Sequence, residues 1–174
     1  MKRKNIKTSK KEIVDYWFSI VDECGLSVDA AEAHERCWRC GCEGTLERCH
    51  IIPDSLGGED KASNLVLLCR RCHVDNPNIT DPDIMWDWLR AYGTPFYDTF
   101  WVNQGMKEYE FIYKKSLNEE LRERNINDME LFYKIYNEQI KKTTFHYGHP
   151  YLNSATLAGV LRATLKSMGN RSIF

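Results

Sequence analysis

Two Cys-x-x-Cys pairs constrain the fold of this 174-residue chain more than any other feature of its sequence. The pairs are Cys37/Cys40 and Cys69/Cys72. In a cytosolic chain, paired cysteines at this short spacing favour a metal site over disulfide bonds. Four cysteine thiolates are a common ligand set for a structural zinc ion. The spacing therefore predicts one zinc site that joins the two pairs, with Cys42 as a less regular alternative to Cys40.

The overall composition is that of a globular protein. Hydrophobic residues make up 43% of the chain and charged residues 28%, which excludes a disordered chain. No apolar stretch approaches the roughly 18 residues that span a membrane. The N-terminal segment is basic rather than apolar, unlike a secretory signal. We therefore expect a cytoplasmic protein that has no membrane partner.

Positive charge is concentrated at the two ends of the chain. Residues 1–11 contain six Lys or Arg and residues 141–174 contain five, and neither segment has an Asp or Glu. Such basic ends predict contacts with phosphates, and the alternative is a solvated tail and an ordinary helix face. In the last predicted helix, Arg162 and Lys166 lie four residues apart, so we expect both side chains on the same phosphate-binding face.

The hydrophobic pattern predicts a hairpin followed by a helix in the cysteine-rich segment. Leu46–Ile52 and Leu65–Leu68 are predicted as its two strands, and Cys72-His73 is predicted to open the helix. Ser9, with Glu12 three residues later, forms a capping-box pattern that predicts an earlier helix.

Further helices are predicted on both sides of this segment. Residues 29–36 are expected to form a short helix, and residues 106–124 a single charged amphipathic helix. Asp128 and Ser154 are candidate caps of two more helices.

A second group of polar residues lies between and beside the cysteine pairs in a fixed order. His50-Ile51-Ile52-Pro53 lies at the end of the first predicted strand, a Ser-Leu-Gly-Gly turn comes next, Asn64 precedes the second strand, and His73 follows the last cysteine. A structural zinc site by itself needs none of these histidines or the asparagine. Together, these motifs resemble those of the HNH endonucleases, which have a ββα-metal fold, over about a quarter of the chain.

The resemblance implies a role for each of these residues. His50 would be the general base that activates a water molecule, and Asn64 would hold the hairpin so that His50 is oriented. His73 would bind a catalytic divalent ion, and Asn76, one turn further along the same helix, is a second candidate ligand. The four paired cysteines would hold structural Zn²⁺, and the catalytic ion would be Mg²⁺ or Mn²⁺. A neutral histidine and a divalent ion are suited to hydrolysing a phosphodiester.

One residue departs from the family's pattern. The residue before the general base is commonly an Asp or His that binds the catalytic ion, but this chain has Cys49. A thiolate is a poor ligand for a hard ion such as Mg²⁺. Cys49 is therefore a neutral spectator beside an ion held by His73, Asn76 and waters, or a ligand of a softer metal, or the sign of a weakened nuclease. Asp54 and Glu47 are nearby carboxylates that could replace it.

The sequence as a whole predicts an α+β protein with a small ββα-metal (HNH) core and a structural zinc, flanked by N- and C-terminal helices. The expected organisation is a basic tail and helix at residues 1–36, a nuclease core at 37–80 and a helical region for DNA binding or dimerisation at 81–174. The implied function is metal-dependent hydrolysis of phosphodiester bonds in DNA, and the expected substrate is double-stranded DNA. The expected biological role is in restriction, defence or homing. Since each chain has one such site, cutting both strands favours a homodimer or sequential nicking. The alternatives are a non-catalytic zinc module that binds nucleic acid and a nuclease directed at RNA.

Overall fold

The computed structural model describes residues 6–93, 96–147 and 151–169. Residues 1–5, which contain half of the positive charges of the predicted basic tail, lie outside the described residues. The chain divides into two compact units, Met1–Phe100 and Trp101–Phe174.

The described residues contain seven α-helices and a single sheet of two antiparallel strands, which confirms the predicted α+β class. Among these helices, none is both long enough and apolar enough to cross a membrane. In chain order the elements are α1 (Lys10–Trp17), β1 (Leu46–His50), β2 (Leu65–Cys69), α2 (Arg70–Asp75), α3 (Pro82–Arg90), α4 (Phe100–Tyr113), α5 (Leu117–Glu123), α6 (Met129–Ile140) and α7 (Ser154–Gly169). Short 3₁₀ turns at Asp54–Leu56 and Ala62–Asn64 lie between the two strands.

The hairpin of β1 and β2, followed directly by α2, is the predicted ββα arrangement. The register places Leu46 opposite Cys69 and His50 opposite Leu65. Helix α2 packs back against both strands. The end of β1 that carries His50 is therefore the end at which the chain enters its long interstrand loop.

The core of the first unit is built on β2. Four successive side chains of this strand, from Leu65 to Leu68, are fully buried, and each burial contributes about 1.5–3 kcal/mol. Helix α1 begins at the predicted capping box of Ser9 and Glu12 and packs against β2. The indole N–H of Trp17 donates to the carbonyl oxygen of Leu65 at 2.8 Å, which fixes α1 to the strand.

The helix predicted at residues 29–36 is replaced by turns. A helix through this segment would continue with the N–H of Cys37 bonded to the carbonyl of Ala33. Instead, the Cys37 N–H donates to the carbonyl of Cys42 at 3.0 Å, and the indole N–H of Trp38 donates to Ala33 at 2.8 Å. The cysteine turn therefore stops any helix at Arg36, and within the segment the N–H groups of Glu32 and Glu35 bond three residues back, as in successive turns.

In the second unit, α4, α6 and α7 contribute to one apolar core. The buried side chains of this core are those of Tyr109, Phe132, Ile135, Ala158, Leu161, Leu165 and Met168. The side chain of Leu157 lies so close to Gly105 that a Cβ on the glycine would be 2.6 Å from the Leu157 Cβ. Glycine at this position therefore allows α4 and α7 to approach each other closely.

The single helix predicted at residues 106–124 is two helices in the structure. Lys114 adopts a left-handed conformation, with a φ of 56°, and ends α4. Ser116 and Glu119 then form a capping box that begins α5. A local start signal for a new helix therefore outweighs the continuous amphipathic pattern.

Candidate functional site

The four cysteines of the two predicted pairs come together in the first unit. Their sulfur atoms lie within 4.8 Å of one another, and those of Cys40 and Cys69 are 3.8 Å apart. Sulfurs bonded tetrahedrally to one zinc ion at about 2.3 Å are separated by about 3.8 Å. The prediction that Cys37, Cys40, Cys69 and Cys72 are positioned to bind a metal is confirmed, and their thiolates fit zinc. Cys42 does not belong to this group.

The thiols of this group affect one another's ionisation strongly. Burial raises the pKa of Cys37, whereas hydrogen bonds from the other three thiols lower the pKa of Cys69. Since each thiolate opposes the ionisation of its neighbours, four thiolates at this distance require a cation between them.

Backbone hydrogen bonds hold the first cysteine pair against the hairpin. The N–H of Trp38 donates to the carbonyl of Leu67 in β2 at 3.1 Å, and the N–H of Gly41 donates to the carbonyl of Cys37 at 2.8 Å. Gly41 has a φ of +67°, a conformation that glycine adopts without strain. A metal bound here therefore links the cysteine turn, β2 and the start of α2.

His50, at the end of β1, lines an open cleft in the same unit. The cleft has a volume of about 690 Å³ and is lined by Ile6, Lys7, His50, Asp54, Gly57, Gly58, Glu59 and Asp60. The imidazole of His50 is half-buried. Water and a phosphate group can therefore reach this ring from the cleft while the surrounding protein restricts its orientation.

Burial lowers the pKa of His50 below its ordinary value of 6.5, because the protonated ring loses hydration. The carboxylates of Asp54 and Asp60 act in the opposite direction, and a positive charge on His73 adds to the lowering. Because burial prevails, the ring is neutral at neutral pH. A neutral imidazole can accept a proton from water.

Asn64 closes the loop that follows His50. Its Oδ1 accepts a hydrogen bond from the N–H of Ile52 at 2.9 Å, and its Nδ2 donates to the carbonyl oxygens of Ile52 and Glu59 at 3.0 Å each. The Ile51 N–H also donates to the carbonyl of Asn64 at 2.9 Å. These bonds fix the two residues after His50. This is what Asn64 would need to do in order to orient His50, and that role of Asn64 stays a prediction.

Gly58 packs against the same bonds, which the sequence did not predict. A Cβ at this position would lie 1.7 Å from the carbonyl oxygen of Ile52 and 2.7 Å from Nδ2 of Asn64. The neighbouring Gly57 has a φ of +92° and open space around it. The Gly-Gly pair predicts a turn, but only the folded loop shows that Gly58 must also allow a close backbone approach.

His73 lies in α2 beside a carboxylate of β1. Its Nδ1 is 2.6 Å from Oε2 of Glu47, and Nη1 of Arg70 is 3.5 Å from the same oxygen. The side chains of His73 and Glu47 are each 33% exposed. Glu47 was one of two nearby carboxylates in the sequence, but only the packing of α2 on β1 shows which ring it contacts.

The two remaining candidates for metal binding have different surroundings. Cys49 is 1% exposed, and its Sγ lies 3.6 Å from the carbonyl oxygen of His50. Burial raises the pKa of its thiol to about 12. The neutral thiol favours the interpretation of Cys49 as a spectator.

Asn76 follows the last residue of α2, and its Nδ2 donates to the carbonyl of Pro77 at 2.8 Å. Its Oδ1 is therefore the atom that could bind a metal.

Asp60 holds the N-terminal segment at the edge of the cleft. Its carboxylate accepts hydrogen bonds from the N–H groups of Lys7 at 2.6 Å and Thr8 at 3.3 Å, and these bonds lower its pKa. Nη1 of Arg48 donates to the carbonyls of Ile6 and Thr8 at 3.0 Å each. The described part of the basic N-terminal segment therefore borders the cleft directly.

Comparison with known proteins identifies the family of this site. Residues 37–87 match the family model described as HNH endonuclease, so this part of the chain is an HNH domain. The match begins at the first cysteine of the zinc site and ends within α3. No curated protein and no solved structure matches the chain. The family implies a nucleic-acid substrate and a nuclease type of function in general.

Proposed function

We propose that this chain is a DNA endonuclease that hydrolyses phosphodiester bonds with a divalent metal ion bound in its HNH domain. The observation that carries the proposal is the environment of His50, a neutral and half-buried imidazole that lines an open cleft and is followed by a loop fixed by Asn64. A binding module has no need of a histidine held in this state.

In the proposed reaction, His50 accepts the proton of a water molecule whose oxygen bonds to the scissile phosphorus. The bond from phosphorus to one sugar oxygen breaks, and that oxygen leaves as a hydroxyl with a proton from water. Asn64 keeps the backbone after His50 in place, so that the ring does not turn away from the cleft. A divalent ion, when bound, would neutralise charge that develops on the phosphate, and His73 and Asn76 would hold it. The zinc bound by the four cysteines would contribute folding free energy and take no part in the reaction.

The substrate we propose is double-stranded DNA. Lys7 borders the cleft, and the residues before it add Lys2, Arg3 and Lys4 to the same segment. We propose that this segment contacts phosphates, and that residues 81–174 supply further DNA affinity or dimerisation. A homodimer or sequential nicking would then cut both strands, in a restriction, defence or homing role.

The test is a plasmid-cleavage assay of the full chain and of His50→Ala, each with EDTA, Mg²⁺, Mn²⁺ or Ni²⁺. We expect cleavage to require a divalent ion and to fall about 10²–10⁴-fold in the variant, which is the usual contribution of a general base. The matched control is His34→Ala, because His34 is exposed and does not line the cleft. Equal cleavage by the wild type and His50→Ala would contradict the proposed role.

Cys49 favours a second candidate function, a zinc-stapled module that binds nucleic acid without cutting it. In that case, the chain would bind DNA in EDTA and leave it uncut with every metal. The same assay therefore separates the two functions. Repeating it with single-stranded and structured RNA tests the remaining substrate class.

A further inference from the structure

The residue before His50 cannot be a ligand of a solvent-accessible metal ion in this chain. Cys49 is 1% exposed, and its thiol lies against the carbonyl oxygen of His50. An ion that acts on a phosphodiester must reach the substrate, and Mg²⁺ usually keeps several waters as well. Such an ion therefore needs ligands that border solvent.

Glu47 provides a carboxylate on the same face of β1 as Cys49. The two residues are separated by one position, and alternate side chains of a strand point to the same side of the sheet. Unlike the thiol, the carboxylate of Glu47 is 33% exposed and lies 2.6 Å from Nδ1 of His73. One oxygen and one nitrogen ligand are thus already adjacent at a solvent-accessible place.

We propose that Glu47 replaces the residue before the general base and joins His73 as a ligand of the catalytic divalent ion, for which Asn76 is also a candidate ligand. This inference rests on the proposed nuclease function. Among the described residues, only the four zinc-site cysteines form a group of three or more Cys, His, Asp or Glu ligand atoms at metal-binding distances. The new site therefore has two such ligands, and the amide oxygen of Asn76, waters and substrate oxygens complete the coordination.

The ligand chemistry favours Mn²⁺ over Mg²⁺ at this site. Carboxylate oxygens suit both ions, whereas imidazole nitrogen is a better ligand for transition metals. Arg70 competes for the carboxylate at 3.5 Å, but its side chain is 71% exposed. Ion pairs of such exposed side chains are weak, so an entering cation can displace the guanidinium.

The test is a titration of the zinc-loaded full chain with Mn²⁺, followed by the loss of the EPR signal of free Mn²⁺. We expect Glu47→Gln and His73→Ala to raise the Kd for Mn²⁺ by about tenfold or more. Cys49→Ala should leave the Kd within about twofold, because the thiol is no ligand. Glu35→Gln is the matched control, since Glu35 is exposed and lies outside the cleft and the zinc site. Unchanged zinc content and thermal midpoint would show that each variant is folded.

Glu47→Gln also separates ligation from orientation of the ring. The glutamine amide oxygen can still accept a hydrogen bond from Nδ1–H of His73, so a carboxylate that only orients the ring would be replaced without loss of affinity. An unchanged Kd in Glu47→Gln, a Kd that rises in Cys49→Ala as much as in Glu47→Gln, or no Mn²⁺ binding by the wild type would each overturn the inference.

Cleavage measured on the same samples distinguishes this inference from the proposed function. Mn²⁺ binding that depends on Glu47, without DNA cleavage by the wild type, would support the site and contradict the nuclease. Metal-dependent cleavage that survives Glu47→Gln, with unchanged Mn²⁺ affinity, would support the nuclease and contradict the site.

Discussion

The charge of His50 depends on how much water reaches its ring. Burial disfavours the imidazolium, while Asp54 and Asp60 favour it. The folded chain therefore holds a proton at this ring less tightly than the unfolded chain does. Its contribution to stability is fully present above the unfolded pKa and is lost as the pH falls through the lower folded pKa.

The same balance predicts the pH dependence of cleavage. We expect the single-turnover rate to rise with pH along a titration whose midpoint lies below 6.5, the ordinary pKa of histidine, because only the neutral ring can accept a proton. In Asp54→Asn, the midpoint should move to a still lower pH, since a carboxylate that favours the imidazolium is removed.

Proton NMR of the His50 ring measures this pKa without any reaction. Its titration should move in the same direction as the pH–rate profile in Asp54→Asn. A midpoint that rises or stays fixed in this variant would show that Asp54 does not act on the ring.

The residues of the candidate site could be chosen from sequence because the motifs keep their order and spacing along the chain, and their catalytic roles stay predictions. The surroundings of each side chain could not. The depth at which Cys49 is buried depends on how the hairpin packs, and the contact between Glu47 and His73 depends on α2 folding back onto β1. These relations join residues that are far apart in sequence.

At the scale of elements, the loop between β1 and β2 positions the end of the first strand. Its conformation depends on the contact of Gly58 with the Ile52 carbonyl and with Asn64. The Ile52 carbonyl is part of the backbone and the Asn64 amide is hydrogen-bonded to it, so neither group can rotate away from an added methyl group.

Gly58→Ala is therefore expected to destabilise the first unit by about 3 kcal/mol, in the upper range for overpacking, and to reduce cleavage strongly. Gly57→Ala is the matched control. Its Cβ meets open space, and its left-handed φ costs about 1 kcal/mol. Urea unfolding and plasmid cleavage of both variants provide the measurement. Equal effects of the two substitutions would mean that the close approach at Gly58 is not what fixes the loop.

The hairpin and α2 could be predicted because strong local signals agree with their tertiary packing. The two errors in helix prediction have physical causes that pattern analysis does not include. At residues 29–36, the cysteine turn takes the hydrogen bonds of Cys37 and Ala33. At residues 114–116, a left-handed Lys114 and the cap of Ser116 interrupt a pattern that is amphipathic throughout.

At the scale of the whole molecule, the two basic ends of the chain use their charges differently. In the first unit, Lys7 borders the cleft. In the second unit, Nη1 of Arg162 donates to the buried carboxylate of Glu120 at 2.7 Å and to the hydroxyl of Tyr109 at 3.3 Å. The guanidinium of Arg162 therefore neutralises an internal acid, and the phosphate-binding face of Arg162 and Lys166 stays a prediction.

We expect Arg162→Ala to destabilise the second unit by about 2 kcal/mol, because the buried carboxylate loses a charged hydrogen bond and Arg124 is left as its cationic partner, beside the hydroxyl of Tyr109. Hydrogen exchange of the α7 amides measures this change locally. Lys166→Ala, an exposed position on the same helix, is the matched control and should leave exchange nearly unchanged.

DNA binding by the same variants tests whether the charge of Arg162 contacts a DNA phosphate. Arg162→Ala should leave the dependence of DNA affinity on salt concentration unchanged, since its charge is already paired inside the protein. Lys7→Ala should reduce the slope of that dependence by about one, as expected for the loss of one phosphate contact, and should leave α7 exchange unaltered. A smaller slope in Arg162→Ala, together with normal α7 protection, would mean that the C-terminal helix contacts DNA and that the pair with Glu120 is dispensable.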